Sequence, residues 1–124
     1  MANMQKYRIL CVDDEPYVCD FLKDYLLFKG YDVQVAFSGK QALQILAAEK
    51  FDMLLLDIIM PEMSGMEVLQ NIHENIPHLP VIILTGVKDQ NIAAETARLG
   101  ALDYITKPID LDLLEQSIRL NLKV

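Results

Sequence analysis

The chain has 124 residues, of which 52% are hydrophobic, and a net charge of −7. That length suits one domain with a sizeable core, and that composition excludes a disordered chain. The acidic balance, with no block of Lys or Arg, excludes direct nucleic-acid binding by this chain, which would need a basic face to neutralise phosphates.

No apolar run approaches the roughly 20 residues that span a bilayer, so no membrane association is expected. Residues 1–6 are polar and lack the apolar core of a signal peptide, which makes the cytoplasm the expected compartment. Cys11 and Cys19 do not form a C-x-x-C pair, and His73 and His78 lie far from them in sequence. Two reduced, structural thiols are expected rather than a disulfide or a zinc site.

In chain order, residues 7–12 read as a first strand. Pro16 suits the first turn of a helix, and Val18, Phe21, Leu22, Tyr25 and Leu26 recur on one helical face. Gly30 is a natural stop. Residues 32–36 alternate as a strand does, and Ser38 is placed to cap a second helix. Leu43, Leu46 and Ala47 mark its buried stripe, and it ends near Lys50. Residues 53–56 form a continuous apolar strand, as in a parallel sheet covered on both faces.

Ser64-Gly65 opens a third helix with Met66, Leu69 and Ile72 inward. Pro77 and Pro80 interrupt the chain before another apolar strand at residues 81–84. A fourth helix is expected from about Asp89 to Leu99, with Gly100 at its C-terminal cap. Tyr104 and Ile105 lie in a short fifth strand. Asp110 caps a last helix whose Leu111, Leu114, Ile118 and Leu122 share a face. Five β-α units with no long linker predict an α/β fold with a parallel sheet, and their number and length favour the flavodoxin-like, doubly wound order 2-1-3-4-5. No G-x-G-x-x-G or G-x-x-x-x-G-K-[ST] sequence follows the first strand, which counts against the nucleotide-binding α/β folds.

The polar residues fall at strand ends. Asp13 and Asp14 end the first strand, Asp57 the third and Thr85 the fourth, and Lys107 follows the fifth. In a parallel sheet these ends share one edge, and ligand sites form there at the switch point between strands one and three. Three crowded carboxylates need a cation unless some are protonated. An oxygen-only set with room for water suits Mg2+, and Mn2+ also fits. With the ammonium of Lys107 and the hydroxyl of Thr85, such a site could receive a phosphoryl group, with Asp57 as its nucleophile. Singly, each residue would more often be a turn, cap or surface group; together, each at a strand end, they define a site. Glu15 reads as a helix-start residue outside it.

These residues lie in motifs that resemble the receiver domain of bacterial two-component response regulators over essentially the whole chain, residues 1–124. The motifs are Val12-Asp13-Asp14-Glu15, Leu55-Leu56-Asp57-Ile58-Ile59-Met60-Pro61, Met63-Ser64-Gly65, Thr85-Gly86 and the run from Gly100 through Thr106-Lys107-Pro108. The resemblance implies that Asp57 is phosphorylated by a sensor histidine kinase or a phosphotransfer protein. It implies a metal held by Asp14, Asp57 and the main-chain carbonyl of Ile59, with Asp13 acting mainly through water. Lys107 would contact the phosphoryl group, and the Lys107-Pro108 bond would be cis. Thr85 would move toward the phosphoryl group and Tyr104 turn inward. The face of the fourth helix, fifth strand and fifth helix would then engage a downstream output domain or protein, or a second copy in a homodimer.

Two further expectations concern individual residues. Ile59 and Val87 lie two positions past Asp57 and Thr85, where apolar side chains should prolong the phosphorylated state. Leu113 and Leu120 are off the main stripe of the last helix and are candidates for a partner surface. The competing readings are a Mg2+-dependent phosphohydrolase and a phosphorylation-independent interaction module. The hydrolase usually carries an acid/base Asp two residues past its nucleophile, and here that position is Ile59. The expected role is therefore a signalling switch limited to self-phosphorylation and slow self-dephosphorylation.

Overall fold

Backbone groups within apolar runs are cut off from water and must pair with one another. In the computed structural model, which describes residues 6–124, they do so in one sheet. The elements are β1 (Arg8–Val12), α1 (Pro16–Phe28), β2 (Asp32–Ala36), α2 (Gly39–Ala48), β3 (Met53–Leu56), α3 (Gly65–Asn75), β4 (Val81–Thr85), α4 (Gln90–Arg98), β5 (Asp103–Thr106) and α5 (Leu111–Leu122). All strand pairs are parallel, and the order is β2-β1-β3-β4-β5, the order expected from the sequence. The expectation about a signal peptide rests on residues 1–6, of which 1–5 lie outside the described residues. Among the described residues no helix is long and apolar enough to cross a membrane.

Strand side chains alternate between faces, and the sheet therefore separates two cores. Leu10, Val12, Leu54, Leu56, Val81 and Ile83 face α2, α3 and α4. Ile9, Cys11, Met53, Leu55, Ile82 and Leu84 face α1 and α5. Both faces are covered, which explains why β3 is apolar throughout and β4 is apolar up to Thr85.

Helix starts follow the sequence signals. Ser38, Ser64, Asp89 and Asp110 each accept a backbone N–H of the first turn. Gly30 and Gly100, with φ of 97° and 96°, terminate α1 and α4 in a conformation that favours glycine. Some expectations need correction. β1 begins at Arg8 rather than residue 7, and α2 ends at Ala48 rather than near Lys50. Phe21 is 50% exposed, because the buried stripe of α1 is centred on Val18, Cys19, Leu22 and Leu26. On a helix with about 100° per residue, Phe21 falls beyond the edge of that stripe. Ala47 is exposed for the same reason, and Ala42 takes the buried position in α2.

Candidate functional site

Register sets the height of each functional group. Val12 pairs with Leu56, so Asp13 and Asp57 emerge side by side, and the Asp57 N–H donates to the Val12 carbonyl at 3.0 Å. Thr85 pairs with Thr106, so Lys107 leaves the sheet beside Thr85, and its N–H donates to the Thr85 carbonyl at 2.8 Å. The Lys107–Pro108 peptide is cis. Beneath Asp57, Gly65 lets the start of α3 approach the backbone: a Cβ there would collide with Asp57 and Ile58. The Gly65 N–H donates to the Ile58 carbonyl at 3.0 Å.

These strand ends surround an open cleft of about 440 Å3 lined by Asp14, Glu15, Asp57, Ile59, Thr85, Gly86, Val87 and Lys107. The Lys107 ammonium donates to Asp13 Oδ2 at 2.7 Å and to Asp57 Oδ2 at 3.1 Å. Asp13 Oδ1 accepts the Glu15 N–H at 2.9 Å, and Asp57 Oδ1 accepts the Ile59 N–H at 3.1 Å. Both oxygens of Asp13 and of Asp57 therefore already have protein donors. Asp14 makes no side-chain hydrogen bond among the described residues and lines the cleft. Oxygens of Asp13, Asp14 and Asp57 lie within 4.8 Å of one another.

The site is short of positive charge. Burial pushes the Asp13 carboxyl above the ordinary carboxylate range, against the hydrogen bond from Lys107, and the Asp57 charge pushes it further. Burial opposes the Lys107 charge, but its hydrogen bond to Asp13 and the field of Asp57 outweigh that and raise its pKa. One ammonium cannot balance three carboxylates. An all-oxygen donor set with such a deficit fits a hard divalent cation.

Thr85 is fully buried, and its hydroxyl accepts the Val87 N–H at 3.4 Å. Tyr104 packs against the core on the α4 side, and its hydroxyl donates to the Val87 carbonyl at 2.6 Å. The hydroxyl is thus tied to the loop after β4. The exposed side chain of Ile59 lies in the cleft wall. Sequence reasoning left Glu15 outside the site, yet it lines the cleft with Oε1 at 3.7 Å from the Lys107 ammonium. Glu15 is the extended N-cap of α1, with φ −97° and ψ 108°, and its place in the sequence alone does not set it apart from an ordinary helix start.

Fold and cleft together define a class, that of flavodoxin-like α/β proteins with a carboxylate-lined site at the β1/β3 switch point. Comparison with known proteins then gives the family. The family model described as "Response regulator receiver domain" matches residues 9–119. A probable cyclic di-GMP phosphodiesterase of Vibrio cholerae is 41% identical over 125 residues, covering 99% of this chain and 28% of the relative. The transcriptional regulatory protein CrdR of Helicobacter pylori is 38% identical over 117 residues, 94% of this chain and 54% of that protein. The chain thus spans between about a quarter and about half of the length of these relatives. Among solved structures, a CheY-like receiver domain protein from Methanospirillum hungatei superimposes with a TM-score of 0.92 at 33% identity, over 96% of this chain and 95% of that one. The response regulator TrrA of Thermotoga maritima, solved in complex with Mg(2+)-BeF, gives a TM-score of 0.85 at 32% identity, over 94% and 99% of the two chains. The chain belongs to the response regulator receiver domain family.

Proposed function

We propose that residues 1–124 act as one receiver domain in which Asp57 accepts a phosphoryl group from a sensor histidine kinase or a phosphotransfer protein. The observation that carries this reading is the Lys107 ammonium bridging Asp13 and Asp57 at the floor of an open, oxygen-lined cleft. Asp57 is held by Lys107 and by the Ile59 N–H, which aim its carboxylate at an incoming phosphorus atom. Lys107 supplies fixed positive charge to the phosphoryl oxygens, and the Thr85 hydroxyl can donate to one of them.

Asp14, Asp57 and the carbonyl of Ile59 would hold Mg2+, or Mn2+, directly. Asp13 would contribute through water, which suits an oxygen pair already occupied by Lys107 and Glu15. The cation would neutralise charge on the transferred group. The complex of the similar TrrA with Mg(2+)-BeF supports this assignment.

The output is a shift in population between two arrangements, which requires contacts that differ between them. Thr85 and Tyr104 both contact Val87, so movement of Thr85 toward a phosphoryl group is felt at Tyr104. Leu102, Leu113 and Leu120 are exposed on or beside β5 and α5. They fit a downstream domain or protein, or a second copy docking on the α4-β5-α5 face. Ile59 and Val87 wall the cleft with apolar groups, which should slow water attack on the acyl phosphate. No change in dephosphorylation rate in an Ile59→Asn, Val87→Glu double variant would refute that role.

Intact mass after incubation with Mg2+ and acetyl phosphate tests the whole reading. A gain of about one phosphoryl mass, roughly 80 Da, that needs both Mg2+ and Asp57 is expected. Catalytic phosphate release without an adduct would favour a phosphohydrolase instead.

A further inference from the structure

Glu15 stands on the ridge between two depressions. It lines the acidic cleft and also the neighbouring apolar groove formed by Tyr17, Phe21, Pro108 and Ile109. Its two oxygens face different partners: Oε2 accepts the Tyr17 hydroxyl at 3.1 Å, and Oε1 lies 3.7 Å from the Lys107 ammonium. Pro16 limits the backbone behind it. Glu15 is not one of the three carboxylates clustered closely enough to hold a cation together. It is a fourth negative charge at the mouth of the cleft, aimed by Tyr17 toward the lysine that the phosphoryl group needs.

We propose that Glu15, latched by Tyr17, is an electrostatic selector that disfavours highly charged small phosphodonors at Asp57. This rests on the phosphoacceptor reading above. In the transfer, an oxygen of Asp57 bonds to phosphorus while the bond to the leaving group breaks. From acetyl phosphate the P–O bond to the acetyl group breaks and acetate leaves with the electron pair. From phosphoramidate the P–N bond breaks and the already protonated nitrogen leaves as ammonia. Near neutrality that protonated nitrogen gives phosphoramidate one negative charge fewer than acetyl phosphate. The Glu15 carboxylate therefore repels acetyl phosphate more strongly. It also competes with the donor for Lys107, an effect common to both donors. Salt screens both effects, but only the repulsion depends on donor charge.

The test compares phosphorylation rates of the wild-type chain, Glu15→Gln, Tyr17→Phe and the double variant, with both donors at saturating Mg2+. At low ionic strength Glu15→Gln should accelerate reaction with acetyl phosphate by about 3-fold to 5-fold, and with phosphoramidate by about half that factor. The difference between donors should shrink as salt is raised. Tyr17→Phe should give a smaller gain in the same direction, and none when Glu15 is already Gln. Equal acceleration with both donors, or none, overturns the selector. A second readout needs neither metal nor donor. Its hydrogen bond to Glu15 raises the Tyr17 phenol pKa. Tyr17 should therefore titrate at lower pH in Glu15→Gln, followed by NMR of its ring carbon, and an unchanged titration overturns the latch. If wild type forms no adduct with either donor, the phosphoacceptor reading falls and takes the selector with it. If the adduct forms but donor preference does not move, the selector alone falls.

Discussion

Opposite edges of the sheet each gather several carboxylates around one cation, and they do so to different ends. At the N-terminal edge Arg8 donates to Glu49 at 2.7 Å and to the Lys50 carbonyl at 2.9 Å, lies 3.4 Å from Asp32, and stacks on Phe51. Its backbone N–H donates to Asp52 at 2.8 Å. The planar guanidinium serves several acceptors at once, and water screens the rest. At the C-terminal edge the cation is Lys107, a point charge, and two of its carboxylate neighbours are buried. Repulsion there is not screened away. One cation among acids makes a fastening at the first edge and leaves an excess of negative charge at the second.

Removing the cation from each edge should give the largest contrast. Lys107→Met leaves Asp13 and Asp57 buried without a counter-charge and should cost about 2–4 kcal/mol of stability near neutral pH without Mg2+. Arg8→Met should cost about 1 kcal/mol or less, and high salt should reduce that further. Urea unfolding of both variants measures the difference. The sign with pH also follows. Asp13 has a raised carboxyl pKa in the fold, so the folded state binds its proton more tightly than the unfolded state does. Lowering the pH through that raised value should therefore recover stability in Lys107→Met. A deficit that grows on acidification would contradict the assignment of buried repulsion.

Neutralising one acid at each edge should have a smaller effect, of opposite sign at the acidic cleft. Asp14→Asn removes a charge with no side-chain hydrogen bond and should stabilise the metal-free protein by about 1 kcal/mol. The proposed Mg2+ site predicts that Mg2+ raises the melting temperature of wild type, by the equivalent of about 2.7 kcal/mol at a hundredfold excess over Kd, and Asp14→Asn should remove that rise. Asp32→Asn should stay within about 0.5 kcal/mol of wild type and leave the Mg2+ response intact. Thermal melts with and without Mg2+ decide both.

Thiol chemistry offers the finest probe. Burial raises the thiol of Cys19 to about 11 and raises that of Cys11 further. Neither should react with iodoacetamide at neutral pH in the folded protein. The Cys19 thiol lies 3.4 Å from the Asp13 carbonyl, so its labelling reports on the cleft edge. Lys107→Met should speed labelling of Cys19, and Arg8→Met should not.

Much of the cleft was legible because polar residues ending apolar runs mark strand ends, and parallel strands put those ends together. Asp13, Asp14, Asp57, Thr85 and Lys107 all announce themselves in this way. Helix starts at Ser38 and Asp110 were legible because a cap is a local interaction. What escaped depends on distance or on shape. The Arg8–Glu49 pair joins residues 41 apart, and nothing local couples them. Glu15 could be read as a helix-start residue, since only its side-chain direction brings it to Lys107. Phe21 and Ala47 have the right period, but the width of the buried stripe depends on how neighbouring elements pack. Ser64-Gly65 signalled a helix start without showing that its glycine makes room for the backbone of Asp57 and Ile58.

The two outer strands share a feature with a different consequence. β2 begins with Asp32 and β5 with Asp103, and each strand has a sheet partner on one side only. Asp32 lies beside Arg8, while Asp103 accepts the Ser117 hydroxyl of α5 at 2.5 Å and the Tyr104 N–H at 2.8 Å. A charge at the start of each unpaired edge hinders strand-by-strand addition of another chain. The sheet is thereby guarded, at both of its margins, against the indiscriminate self-assembly that open strands invite.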